Sequence, residues 1–283
     1  MSRFAFVQIE LPGALGIDDG RYPVRAPGAT GAGSVLVART FGAPAPPRRR
    51  LRRPKPRDAD PEAAATVPVT ELTVIDSNPL DGDGDAWLER VRTDSELRDE
   101  LVGDALALAT RALAARRIAS ADPAIPDARL ESALRIRVGY GSGDELVDGH
   151  WQAALELPRE EGRVSRAAAL RPQERLAAVL GGREAPLACE ELLIRARSDL
   201  DAGRDREAAL QIRVALEALL AERAALENAG QTEDLAFVDG RRRITGEAAN
   251  EALRGALSDE RTAEVAETVA VCERILRRRA AHG

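Results

Sequence analysis

Apolar residues recur at nearly every second position over 3–10 (Phe4, Phe6, Val7, Ile9) and again over 34–41 (Val35, Leu36, Val37), the period of a half-buried strand. Between these runs GIDDGRYPVR carries Asp19-Gly20, a dipeptide that suits a hairpin turn. The strand pattern returns over 69–76 (VTELTVID). From about Ala86 to Arg117 the spacing becomes helical, with Leu97, Leu101, Ala105, Leu108 and Ala112 on one face. Within this stretch Thr93-Asp94-Ser95-Glu96 fits a capping box, in which the Thr hydroxyl takes an early amide and the Glu reaches back. Asp122-Pro123 and Ile125-Pro126 end the helix. Leu134, Ile136, Val138 and Tyr140 then alternate with Arg135 and Arg137 as a strand, and Trp151, Ala153, Leu155 and Leu157 suit its partner across a glycine-rich connection.

Beyond Pro172 the two-residue period gives way to helical spacing. Helices are predicted at 172–180, 187–201, 205–228, 246–257 and 259–280, with Gly181-Gly182, Gly203 and Gly230 as breaks. Segment 205–228 is apolar around much of its circumference (Leu210, Ile212, Val214, Leu216, Leu219, Leu220) and reads as the central helix of a bundle. The fold class is therefore α+β, with a small, largely antiparallel sheet and one long helix in the N-terminal half and an all-helical C-terminal half. The expected division is an α+β domain at 1–158, a linker with a short helix at 159–186 and a helical bundle at 187–283. Residues 43–66, rich in Pro, Ala and Arg without periodicity, read as a disordered loop.

Composition sharpens this division. Seven of the eight aromatic residues precede position 152, so pleated packing belongs to the first half and Ala/Leu helix packing to the second. No apolar run reaches the length of a membrane span, and MSRFAFVQIELPG lacks the pattern of a signal peptide. Cys189 and Cys272 are the only cysteines among 283 residues, which suggests no disulfide framework and a cytoplasmic setting. Lys55 is the only lysine among 41 basic residues, a bias that reads as a high-GC bacterial genome.

Charge adds one local feature. RRRLRRPKPR (48–57) carries seven of the basic residues, so a net charge of −6 leaves −13 on the remainder. Arg48, Arg49, Arg50, Arg52, Arg53, Lys55 and Arg57 are the candidate polyanion site, because clustered guanidinium groups bind phosphates through charge and counterion release. Two simpler readings compete: a solvated loop, or an arm lying on the acidic stretch 81–104, which has nine acids against three arginines.

Candidate chemistry elsewhere is thin. Gly139-Tyr140-Gly141-Ser142-Gly143 has the look of a phosphate or methyl-donor loop, but the strand before it alternates with Arg instead of being continuously apolar, which favours a hairpin connection. Asp81-Gly82-Asp83-Gly84-Asp85 opens like a calcium loop, yet Ala86 and Arg92 fall where the glycine and the bidentate glutamate belong. A turn whose last Asp caps the next helix fits better. Ser142 and His150 form a conceivable nucleophile–base pair without an orienting acid. No zinc, P-loop or nucleophile-elbow spacing occurs, and no cofactor is expected.

In ARSDLDAGRDREAALQIRVALEAL, the order Gly203, Glu207-Ala208, Ala215-Leu216 resembles a tetratricopeptide hairpin, lacking that family's large aromatic positions and any second copy. A generic helical hairpin fits the same residues. The resemblance implies a surface for protein–protein contact. The expectation is a non-catalytic interaction or structural protein acting through its helical module, with a protein partner or itself. A nucleic-acid or polyanion-associated protein is the alternative, and an enzyme with an unrecognised acidic site a further one.

Overall fold

The computed structural model describes residues 2–25, 33–42, 67–158, 166–226 and 231–282. By its internal contacts the chain divides into two compact units, 1–160 and 161–283.

The first unit is built on six antiparallel strands: β1 (Arg3–Pro12), β2 (Gly20–Val24), β3 (Ser34–Phe41), β4 (Val69–Pro79), β5 (Arg135–Ser142) and β6 (Ala153–Glu156), in the order β2-β3-β4-β1-β5-β6. Alternation along β1 sends Ala5, Val7, Ile9 and Leu11 into the main core and leaves Gln8 and Glu10 on the other face. The hairpin expected at Asp19-Gly20 does not form. Gly20 opens β2, which pairs with β3, and β4 lies between β3 and β1. The chain leaves β1 through Gly13 (φ 92) and Gly16 (φ 78), a backbone region that favours glycine, and this detour buries Leu15 and Ile17 in the core. Alternation identifies strands but says nothing of which strand lies beside which.

The single long helix predicted from Ala86 is two: α1 (Gly84–Thr93) and α2 (Ser95–Ser120). Extended backbone at Asp94 separates them, and its carboxylate accepts the Leu97 amide at 3.1 Å. The cap is thus Asp94, one residue past the predicted Thr93, whose hydroxyl donates back to the Glu89 carbonyl. Of the predicted face only Ala105 is fully buried. Val102, Ala109 and Leu113 join it against the sheet, while Leu97, Leu101, Leu108 and Ala112 pack at its margin. A short helix, α3 (Gly143–Val147), lies within the β5–β6 connection.

The second unit contains α4 (Arg166–Leu180), α5 (Ala188–Asp201), α6 (Asp205–Ala221), α7 (Thr232–Gly240), α8 (Arg242–Ala252) and α9 (Asp259–His282). Its core gathers around α6, whose Ala208, Ala209, Ile212, Ala215, Leu216 and Leu219 are all fully buried. The helix is one-sided, however: Val214 is 54 % exposed and Leu210 is exposed too, where the sequence suggested apolar burial around the circumference. It stops at Ala221, earlier than predicted. Glu222 beyond it accepts the amides of Ala188 and Cys189 at 2.9 and 3.1 Å, capping the start of α5. Helix α7 went unpredicted. Helix α4 begins six residues before Pro172, which removes one backbone donor without ending it. No helix among the described residues is long and apolar enough to cross a membrane.

Candidate functional site

The seven basic residues Arg48, Arg49, Arg50, Arg52, Arg53, Lys55 and Arg57, and the 43–66 stretch that holds them, lie outside the described residues. The other sequence candidates have definite places. Gly139 sits where a Cβ would come within 2.4 Å of the Ala153 carbonyl oxygen, and at Gly141 one would meet Leu146 at 3.0 Å. These glycines let β6 and α3 crowd against β5, which joins two antiparallel neighbours. The Ser142 hydroxyl is buried and donates to Glu145 Oε2 at 2.6 Å. His150 is exposed, and no hydrogen bond joins its side chain to Ser142 among the described residues.

The acidic turn is absorbed in the same way. Asp83 takes Arg3 at 3.1 Å, and Asp85 accepts the Tyr140 hydroxyl at 2.5 Å, a bond that raises the Tyr140 pKa. Gly84 permits this approach, since a Cβ there would fall 2.5 Å from the Tyr140 ring. Asp83 occupies the cap position of α1, but its side chain makes no cap bond. No group of three metal-ligating side chains gathers among the described residues.

The register creates one constellation that the sequence did not show. Across the sheet face opposite α2, one rung reads Arg39, Glu71, Glu10, Arg135, with the two glutamates directly paired. Arg137 approaches Glu10 at 2.9 Å and Gln8 at 2.6 Å, and Gln8 continues to Thr73 at 3.2 Å. Burial, with Glu10 nearby, raises the Glu71 pKa against the lowering pull of Arg39 and Arg137. Glu10 forms ion pairs with Arg135 and Arg137, while Glu71 lies opposite Arg39 in the register, so two carboxylates sit side by side between guanidinium groups.

A second constellation is concave. A cleft of about 490 Å³ opens between the last turns of α2 and the β2–β3 pair, within the size range of small-molecule sites. Ala112, Ala115 and Ala119 form the helix wall and are too small to fill it. Ile17, Val24 and Leu36 form the facing wall, with Tyr22 and Asp18 at the side. Arg25, Arg111 and Arg116 also line it, three guanidinium groups against the single carboxylate of Asp18.

Arg111 Nη2 and Arg116 Nε are buried without a hydrogen-bond partner among the described residues. Their neighbour Arg117 shows what a structural arginine does here: its Nε donates to the Ile125 carbonyl at 3.0 Å and its Nη2 to Asp127 at 2.6 Å. No protein-family model, curated protein or solved structure matches this chain. The resemblance of α5–α6 to a tetratricopeptide unit remains one of pattern: two helices joined through Gly203 at φ 65, with alanines between them.

Sequence periodicity places Arg111 and Arg116 on the polar side of α2 and so passes over them. The available signal is the alternation Arg111-Ala112, Ala115-Arg116, Ala119, in which small residues recur at helical spacing beside charge. Such a face leaves room where a packing face would carry Leu or Val.

Proposed function

We propose that the protein is a non-catalytic, cytoplasmic binding protein whose N-terminal unit holds a small ligand in the cleft between α2 and β2–β3. The observation that carries this reading is the cleft itself, about 490 Å³, with apolar walls and three guanidinium groups against one carboxylate. Two free, buried thiols suit a reducing compartment. The test uses the neutral dye Nile red with the full chain. Fluorescence should rise on binding to the wild type and fall to background in Ala115→Trp, which fills the cleft from an exposed helix position. Equal dye binding by both proteins removes the cleft from consideration.

A second reading keeps the helical module as a surface for self-association. Ile194 on α5 is 65 % exposed, Val214 on α6 is exposed as well, and the exposed residues near them in sequence carry both signs (Glu191, Arg195, Glu207, Arg213, Glu217). Mixed charge around apolar groups suits a two-fold contact between identical faces. Light scattering after size exclusion should show a dimer that Ile194→Glu with Val214→Glu reduces to monomer at unchanged helicity. A monomeric wild type at about 100 µM, where a dimer with a Kd of about 1 µM would be almost fully formed, excludes it.

A further inference from the structure

We infer that the cleft binds a small organic anion, an apolar body ending in a carboxylate or phosphate head that Arg111 and Arg116 hold. The inference rests on the reading of the cleft as a binding site and adds the chemistry of its occupant. Charge decides the sign of the ligand. The lining has three arginines and one aspartate, and none of the three arginines has an ion pair among the described residues. Among the described residues an anion entering the cleft meets an excess of positive charge, with which it can form charge-assisted hydrogen bonds.

Shape decides the rest. Ile17, Val24, Leu36 and the three alanines offer no polar side-chain atom, so only an apolar body gains by covering them. Each guanidinium has one nitrogen sealed from solvent, and the remaining N–H groups of the fork are the ones available to a head group. The planar fork matches the paired oxygens of carboxylate and phosphate alike. A cation would add to the existing excess of charge, and an inorganic anion would leave the apolar walls bare.

The experiment displaces Nile red from the full chain with decanoate, decyl phosphate and decanol, which share one apolar body. At least one anion should displace the dye at a concentration about tenfold or more below that of decanol, the scale of one charge-assisted interaction. The better of the two anions identifies the head group. Arg111→Gln with Arg116→Gln should raise the half-displacement concentration of that anion about tenfold or more and leave decanol unchanged. The same double variant without ligand should melt at or above the wild-type temperature, because the charges it removes have no ion pair among the described residues. Equal displacement by decanol and both anions overturns the anion inference while leaving the cleft reading standing. A fall of several degrees in the melting of the ligand-free double variant overturns it too, by showing that the arginines hold the fold. Absence of Nile red binding to the wild type removes both readings together.

Discussion

Glu10 and Glu71 stand directly opposite each other in the β1–β4 register, two like charges on one rung. Arg137 holds Glu10 at 2.9 Å, and burial leaves Glu71 with its pKa raised. A carboxyl that binds its proton more tightly folded than unfolded withdraws stability as pH rises through the interval between the two values. Glu71→Gln removes that loss and the repulsion. The variant should be more stable at pH 7 by about 0.2–1 kcal/mol, the worth of one cross-strand pair, with the gain shrinking below pH 4. Urea midpoints at the two pH values check this, and a less stable variant at pH 7 contradicts it.

The break between α1 and α2 separates the sequence reading from the structure at a single residue. Asp94→Ala should cost about 1 kcal/mol, the usual worth of an N-cap. Thr93→Ala should be nearly neutral, because its hydroxyl only returns to the Glu89 and Arg90 carbonyls of its own helix. A larger loss at Thr93 than at Asp94 in thermal melts reverses the assignment.

In the second unit Asp234 accepts Arg274 at 2.6 and 3.0 Å and Arg278 at 2.7 Å. The Arg274 guanidinium lowers its pKa, opposed by burial, with Arg278 adding to the lowering. A depressed carboxylate contributes stability that is present above its unfolded value near 3.9 and lost as pH falls through the folded one. Asp234→Asn should cost about 1–3 kcal/mol at pH 7. The variant should also lose less stability than the wild type on acidification below about pH 4. Parallel acid-unfolding curves for the two proteins would exclude a contribution from this carboxylate.

Burial pushes both the Cys189 and the Cys272 thiols up to about 12. At pH 8 neither carries appreciable thiolate, the reactive form. A chromogenic disulfide reagent should find no fast thiol in the native protein and both after unfolding in guanidinium chloride. A native thiol reacting within seconds shows that one of the two reaches solvent.

The apolar run over 34–41 locates β3 to the residue, although both its faces are covered: Leu36 and Ala38 enter one core and Val37 another. Helix α6 was legible as an element but not as a surface. Leu210 and Val214 count as apolar in any pattern, yet they lie off the face of α6 that Ile212, Leu216 and Leu219 bury. The glutamate rung was illegible for another reason: positions 10 and 71 become neighbours only through the order in which strands pair. The cleft shares this property. Arg111 and Arg116 look like solvated helix residues until β2, which the sequence reads as part of a turn, lies across from them.

The strand order also has a temporal consequence. β1 precedes the other five strands yet occupies an interior position, with β4 and β5 as its two partners. A ribosome must therefore deliver residues as far as 142 before β1 is covered on both sides, and until then an apolar strand has open edges. Non-local pairings of this kind close slowly, whereas helices form within themselves from local contacts. The slow step of folding thus belongs to the first unit, and until β5 arrives the unpaired edge of β1 invites pairing with other chains.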